Sequence, residues 1–348
     1  MIPAHHGASP PTGTPIYGLV RSRTWPETPD QPPEPTRCQH EGTIDYVTKV
    51  DPHGAGAKDR WATWLAERRH GGDPDWLRRT LEFLAPVRDR VIENARLARG
   101  ARALDVGCGD GLVAFAALDA VGPTGLVIFS DISADLLERC GELARAAGVL
   151  DRCRFVEASA SDLSPIEDHS IDAVTLRSVL IYEAEKAKAF GEFHRVLRPG
   201  GRLSLFEPIN RFGYPEPAVR FHGYDVSAVS ELAAKLKAVY ERHQPPESCS
   251  MLDFDERDLL ALAEDAGFHE VHMSLEADVE EYRSSPWRIS WETMLHSAFN
   301  PLAPTLSEAM GEALTPHEAE RFASHLRPLV EAGQGEVRRA STYLWAVA

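Results

Sequence analysis

Gly107, Gly109 and Gly111 stand at alternate positions in the run Ala103-Leu104-Asp105-Val106-Gly107-Cys108-Gly109-Asp110-Gly111, and the rest of the chain is organised around them. An apolar run of strand type carries an acid, Asp105, into the glycines, and an apolar pattern of helical period begins at once over Leu112 to Ala120. The glycines therefore sit in a strand-to-helix turn, where the missing Cβ lets backbone come close against a ligand. A dinucleotide-binding turn needs G-x-G-x-x-G, because its third glycine allows tight helix packing. Here that place is Leu112, and the spacing is G-x-G-x-G with Asp105 two residues ahead of the first glycine.

The remaining pattern supplies a sheet for this turn. Gly125 to Asp131 is a short apolar run ending in an acid, and Ser133 to Gly148 reads as a helix with Ser133 as cap and Gly148 as stop. Strand-like runs recur at Arg154 to Glu157, Ile171 to Leu176 and Arg202 to Glu207, with a helical pattern from Glu183 to Leu197 between the last two. Asp253 to Gly267 is a further helix, followed by strands at His269 to Leu275 and Ser341 to Ala348. Strands alternating with helices predict a doubly wound α/β fold, a parallel sheet covered on both faces. Ligands of such sheets bind at the carboxyl ends of the strands, where the strand order switches. Asp105 with the glycine turn, Asp131, Ser159 to Asp162 and Leu176 to Ser178 all map to that edge.

From Leu104 to about Glu207 the chain resembles the class I S-adenosylmethionine-dependent methyltransferases. LDVGCGDG is similar to their first motif, IFSDIS places an acid at the end of the second strand, and SIDAVTLRSVL and FHRVLRPGGRLSLFEP are similar to later motifs. The resemblance implies a seven-stranded Rossmann-like sheet with an antiparallel last strand at Tyr343 to Val347, S-adenosylmethionine as cofactor and S-adenosylhomocysteine as product. It implies backbone contact of Gly107 and Gly109 with the methionyl part of the cofactor, with Cys108 as a small side chain between them. Asp105 would hold the loop and accept from the cofactor's ammonium. Asp131 would accept from both ribose hydroxyls, since one carboxylate offers two acceptor oxygens, and Ile132 would pack on the adenine. Many relatives carry an acid at the place of Ser159; this chain reads Ala158-Ser159-Ala160-Ser161-Asp162, so either Asp162 or Ser159 takes the adenine amino group. Arg177 is expected near the cofactor, and Arg60 is the candidate for its carboxylate. On the acceptor side, Glu207 is the expected base or orienting acceptor, with Tyr182 and Asn210 as partners. The alternative for Glu207 is a structural acid paired with Arg211 or a backbone amide.

The segments outside the sheet pattern are expected to surround the site. Residues 1–40, rich in proline, read as a disordered or extended arm. Residues 41–100 form an N-terminal helical lid, in which Trp61, Trp64 and Leu65 share one helical face and the two tryptophans read as core-facing aromatics. The core spans 101–277 and 341–348, with an insertion at 210–250, and a helical insertion at 278–340 covers the substrate. The run Glu276, Asp278, Glu280 and Glu281 reads as a solvated acidic face. A formal net charge of -16, with no clustered basic segment, sets the chain against a nucleic-acid partner. Five cysteines without C-x-x-C spacing disfavour a disulfide framework and a metal knuckle, and no metal is expected. No apolar run reaches membrane-spanning length, so a cytoplasmic protein without a membrane partner is expected. The expected activity is methyl transfer to an O, N, S or C nucleophile of a small molecule. A non-catalytic cofactor-binding protein and a methyltransferase acting on a macromolecule stay open, and composition says nothing of oligomeric state.

Overall fold

Residues 59–348 are described in the computed structural model; the proline-rich arm expected over 1–40, together with residues 41–58, lies outside the described residues. Asp59 opens α1 (Arg60–Thr63), its carboxylate accepting from the N–H groups of Trp61 and Ala62 at 2.8 and 2.9 Å. The helix runs on as a π-helical turn over Trp64–Arg68, closed by the Arg69 N–H on the Trp64 carbonyl at 2.8 Å. α2 (Pro74–Ala95) follows, with Asp73 as its cap and proline in the first turn. Leu84, Val87 and Val91 bury its inner side.

The α/β units come next: β1 (Arg102–Val106), α3 (Leu112–Val121), β2 (Leu126–Asp131), α4 (Ala134–Ala146), β3 (Cys153–Glu157), β4 (Ile171–Arg177), α5 (Lys186–Val196) and β5 (Leu197–Pro208). A short ribbon of β6 (Arg220–Phe221) and β7 (Tyr224–Asp225) leads to α6 (Ser230–His243), α7 (Glu256–Asp265) and β8 (His269–Glu281). Three helices, α8 (Trp291–His296), α9 (Leu306–Ala313) and α10 (Pro316–Ala332), precede the closing strand β9 (Glu336–Val347).

The main sheet has seven strands in the order β3-β2-β1-β4-β5-β9-β8. Strands β1 to β5 are parallel, and β9 runs antiparallel to both β5 and β8. The order reverses between β1 and β4, so the glycine turn after β1 stands at the switch point. Alternation along β1 divides the core. Leu104 and Val106 join the cluster of Phe190 and Phe193 from α5 and Leu259 from α7, whereas Ala103 joins that of Phe115 and Leu118 from α3 and Cys140 from α4. Helices thus cover both faces, as a doubly wound sheet requires.

β8 and β9 are longer than the runs His269 to Leu275 and Tyr343 to Val347 expected as strands. β5 ends where Pro208 faces Ser341, but the β8–β9 pairs from Ala277–Ala340 to Glu281–Glu336 continue past it. This ribbon rises above the carboxyl edge of the sheet. The acidic run that read as a solvated face is a strand whose acids stay solvated, Glu276 and Asp278 being 53% and 51% exposed at their side chains, and alternate ones also meet arginines: Glu276 pairs with Arg90 at 2.5 Å and Asp278 with Arg339 at 2.7 Å. Beside the ribbon, α6, α8, α9 and α10 bury their apolar faces against one another in a second core that includes Leu236, Met294, Leu306 and Phe322.

Candidate active site

A cavity of about 1100 Å³ opens over the carboxyl ends of β1, β2, β4 and β5. Gly107, Gly109 and Asp131 form one end of its floor; Phe206, Pro208 and Asn210 lie at the other. The π turn after α1, the inner side of α2, the β8–β9 ribbon and residues of the 287–299 segment enclose it.

At the glycine end, backbone and carboxylates lock one another in place. Gly107 and Gly109 have φ of +62° and +56°, in the left-handed region. A Cβ on Gly107 would stand 2.5 Å from Cγ2 of Val179, so no side chain fits there. A Cβ on Gly109 would point into open space, its nearest neighbour Leu65 Cδ1 at 3.7 Å, and that space is the cavity. Asp131, 7% exposed, accepts from the Gly109 N–H at 2.8 Å with Oδ2 and from the Ser133 N–H at 2.9 Å with Oδ1. Burial pushes its carboxyl above the usual range. The side chain of Ile132, next along the chain, is 52% exposed on the cavity wall. Ser159 also lines the cavity, and its hydroxyl donates to Glu183 at 3.1 Å.

The cavity wall also holds two guanidinium groups, Arg69 at the close of the π turn and Arg177 from the end of β4. Neither has a carboxylate partner among the described residues; Arg177 makes one 3.4 Å contact with the Ser178 hydroxyl. Burial and repulsion from Arg177 pull Arg69 down to about 10. Tyr182 lies beside them, edge-on to Trp61 at 4.9 Å between ring centres, and burial pushes its phenol up to about 12.

The far end is aromatic. The Trp287 ring meets Phe83 and Trp76 edge-on at 4.7 and 5.6 Å, and the Arg339 guanidinium lies over Phe83 and Trp287 at 5.4 and 5.1 Å. Tyr224 stacks on Tyr282 at 5.0 Å. Several polar atoms of these wall residues are buried without a hydrogen-bond partner among the described residues: Tyr224 OH, Trp287 Nε1, His222 Nε2 and Nη1 of Arg339. Burial holds His222 neutral, its pKa lowered to about 4.

The Methyltransferase domain family model matches residues 104–205. Over 191 residues, 52% of this chain and 72% of the relative, the chain is 34% identical to the ubiquinone/menaquinone biosynthesis C-methyltransferase UbiE of Cronobacter sakazakii. It belongs to the class I S-adenosylmethionine-dependent methyltransferases. The enzyme of the same name from Escherichia fergusonii is 30% identical over 184 residues, 52% of this chain and 71% of the relative. Among solved structures, geranyl diphosphate C-methyltransferase from Streptomyces coelicolor A3(2) is similar with a TM-score of 0.48 and 16% identity, over 83% of this chain and 95% of that one.

This methyltransferase uses S-adenosylmethionine to methylate a small-molecule acceptor. Of the residues singled out in the sequence, the cavity wall includes Gly107, Gly109, Asp131, Ile132, Ser159, Ala160, Arg177, Tyr182 and Asn210. Others lie off it, each for a visible reason. Asp105 is 2% exposed beneath the glycine turn, where its carboxylate accepts from the Thr175 hydroxyl at 2.7 Å and burial raises it to about 7. Cys108 faces the core between sheet and helices. Ser161 is buried behind Ser159, while Asp162 is exposed and accepts from the Ser164 N–H. Arg60 is exposed at the start of α1, away from the wall.

Glu207 departs most from the expectation of a base. It is fully buried, and its oxygens accept from three successive backbone amides, Val179 at 2.8 Å, Leu180 at 3.0 Å and Ile181 at 3.4 Å. Burial raises its carboxyl to about 7 against the pull of those amides. Asn210 donates to the Met251 carbonyl at 3.2 Å, which leaves its side-chain oxygen uncommitted among these bonds. Trp61 and Trp64, expected in the core, are instead part of the cavity wall, with Trp64 Nε1 donating to the Ala298 carbonyl at 2.8 Å. Among the wall residues that carried no signal in the sequence are Arg69 and Glu183.

Proposed function

We propose that the cavity takes the cofactor at its glycine end and the methyl acceptor at its aromatic end, with transfer between them above the ends of β4 and β5. The observation that carries this reading is the continuity of the cavity from Gly109 and Asp131 to Phe206 and Trp287. The residues present fit the cofactor: Gly109 leaves room that a Cβ would enter, Asp131 keeps lone pairs for a ribose diol, and Ile132 offers an exposed apolar face to adenine. Ser159, backed by Glu183, stands where the adenine amino group would be met, with Ala160 beside it. When bound, S-adenosylmethionine supplies a methyl group already activated on a sulfonium and leaves as S-adenosylhomocysteine.

The chain then needs to align and to exclude water. Tyr182, with its phenol held protonated by burial, serves as a hydrogen-bond donor toward the acceptor rather than as a base. Asn210 orients the acceptor from the β5 side. Glu207 acts at one remove, fixing the 179–181 turn through its amides. Trp61, Trp64 and the ribbon wall shut solvent from the reacting groups. We place the enzyme in the cytoplasm: the four described cysteines are unpaired thiols, as a reducing compartment keeps them.

Calorimetry with S-adenosylhomocysteine and with NAD tests the cofactor half of this reading. Binding of the former in a one-to-one ratio with none of the latter is expected; the reverse preference would overturn it. Incubation with S-adenosylmethionine and a metabolite extract should then give a product heavier by one methylene, detected by mass spectrometry.

A further inference from the structure

Four arginines reach the cavity wall, and they divide into two kinds. Arg90 and Arg339 are neutralised on the spot by Glu276 and Asp278. Arg69 and Arg177 are not: no carboxylate pairs with either among the described residues, and they stand close enough to repel each other. Asp110 acts on Arg69, and Arg177 acts on the buried Asp105 and Glu207, through space and without an ion pair. Asp105 is bonded to the Thr175 hydroxyl, Glu207 to its three amides, and Asp131 to the Gly109 and Ser133 amides. His70, which follows Arg69 in the chain, adds no charge to offset, since burial and Arg69 together hold it neutral with a pKa of about 4.

The charge balance becomes worse once the glycine end is filled. The cofactor carries a sulfonium and an ammonium against a single carboxylate, so it adds positive charge to a wall that already holds two free guanidinium groups. Its carboxylate satisfies one of them. Arg69, which feels the charge of Asp110 in the glycine turn, is assigned as the partner for that carboxylate. Arg177 is left beside the reacting centre at the end of β4, with Tyr182 as a second donor and an aromatic chamber of Phe83, Phe206, Trp287 and Tyr343 beyond.

We propose that Arg177 and the Tyr182 hydroxyl form an oxyanion site for the methyl acceptor, so that the natural acceptor is an aromatic carboxylate. This rests on the reading above that the cofactor fills the glycine end. Planar guanidinium binds carboxylate through two parallel N–H bonds, which orients the acceptor as well as attracting it. The negative charge completes the electrostatic balance of the ternary complex, so acceptor and cofactor bind cooperatively. The like-charged arginines on one cavity wall are the cost of that selectivity.

The test uses the full chain and two probes of the same ring, 2-naphthoate and the ammonium form of 2-(aminomethyl)naphthalene, titrated by calorimetry with S-adenosylhomocysteine saturating. Binding of 2-naphthoate at least ~10-fold tighter than of the ammonium probe is expected. Arg177→Gln should weaken 2-naphthoate by about 10-fold or more while holding S-adenosylhomocysteine affinity within about 3-fold, which also certifies that the variant is folded. Arg69→Gln should show the converse. Equal or tighter binding of the ammonium probe, absence of 2-naphthoate binding, or loss of both ligands in Arg177→Gln would each overturn the proposal. If S-adenosylhomocysteine fails to bind the unaltered protein, it is the underlying assignment of the cofactor end that falls.

Discussion

At the glycine end of the cavity the two buried carboxylates are tied to backbone or hydroxyl groups close by, Asp131 to Gly109 and Ser133, Asp105 to Thr175, whereas at the aromatic end Tyr224, Trp287 and Arg339 keep polar atoms with no partner among the described residues. The first end is preorganised: its donors and acceptors hold the shape in which a ligand meets them. The second is assembled from α2, β7, the 287–299 segment and β9, and it tolerates buried polar atoms that cost stability. The cofactor end thus holds its buried carboxylates on satisfied bonds and offers the Arg69 guanidinium to the ligand, while the aromatic end retains a cluster of unsatisfied polar atoms among the described residues.

Glu207 offers the largest test of this contrast, because it supports the wall between the two ends. Glu207→Gln keeps one oxygen for Val179 and Leu180 but turns an amide group toward the Ile181 N–H. Stability should fall by about 1–3 kcal/mol, read as a lower Tm, and turnover by the folded fraction should persist once an acceptor is in hand. A fall in turnover of about 10²–10⁴-fold without loss of stability would instead give Glu207 the role of a base. A smaller effect of opposite sign is expected at the aromatic end. The Tyr224 hydroxyl is on a side chain only 2% exposed and has no partner among the described residues, so Tyr224→Phe should raise stability by about 1 kcal/mol. A lower Tm would show that the hydroxyl is satisfied in solution and would erase the difference between the ends.

The same contrast explains what could be read in the sequence. The glycine turn, the acid ending β2 and the alternation of strands and helices are local patterns, and they led directly to the doubly wound sheet and to Gly107, Gly109, Asp131 and Ile132 on the cavity wall. Arg69 was hidden by a local irregularity. A regular α-helix continues the Trp61–Leu65 stripe to Arg68, but the π turn inserts a residue, so Arg69 takes that place and Arg68 turns out to Glu308 at 2.5 Å. The ribbon of β8 and β9 was hidden by its charge, since acids at alternate positions read as a solvated face unless the partner arginines, Arg90 and Arg339, are known. For Glu207 the sequence left two readings open, a base or a structural acid on Arg211 or a backbone amide, and it could not choose between them because amide partners leave no mark in a sequence.

The most direct test of the central claim, that the two ends are separate and that Asp131 belongs to the cofactor's, is calorimetric titration of S-adenosylhomocysteine into Asp131→Ala and Tyr224→Phe side by side. The account predicts a loss of roughly 1.5–3 kcal/mol in binding for Asp131→Ala, about 10- to 100-fold in Kd, and no change for Tyr224→Phe. Unaltered affinity in Asp131→Ala, or an equal loss in both variants, would contradict it.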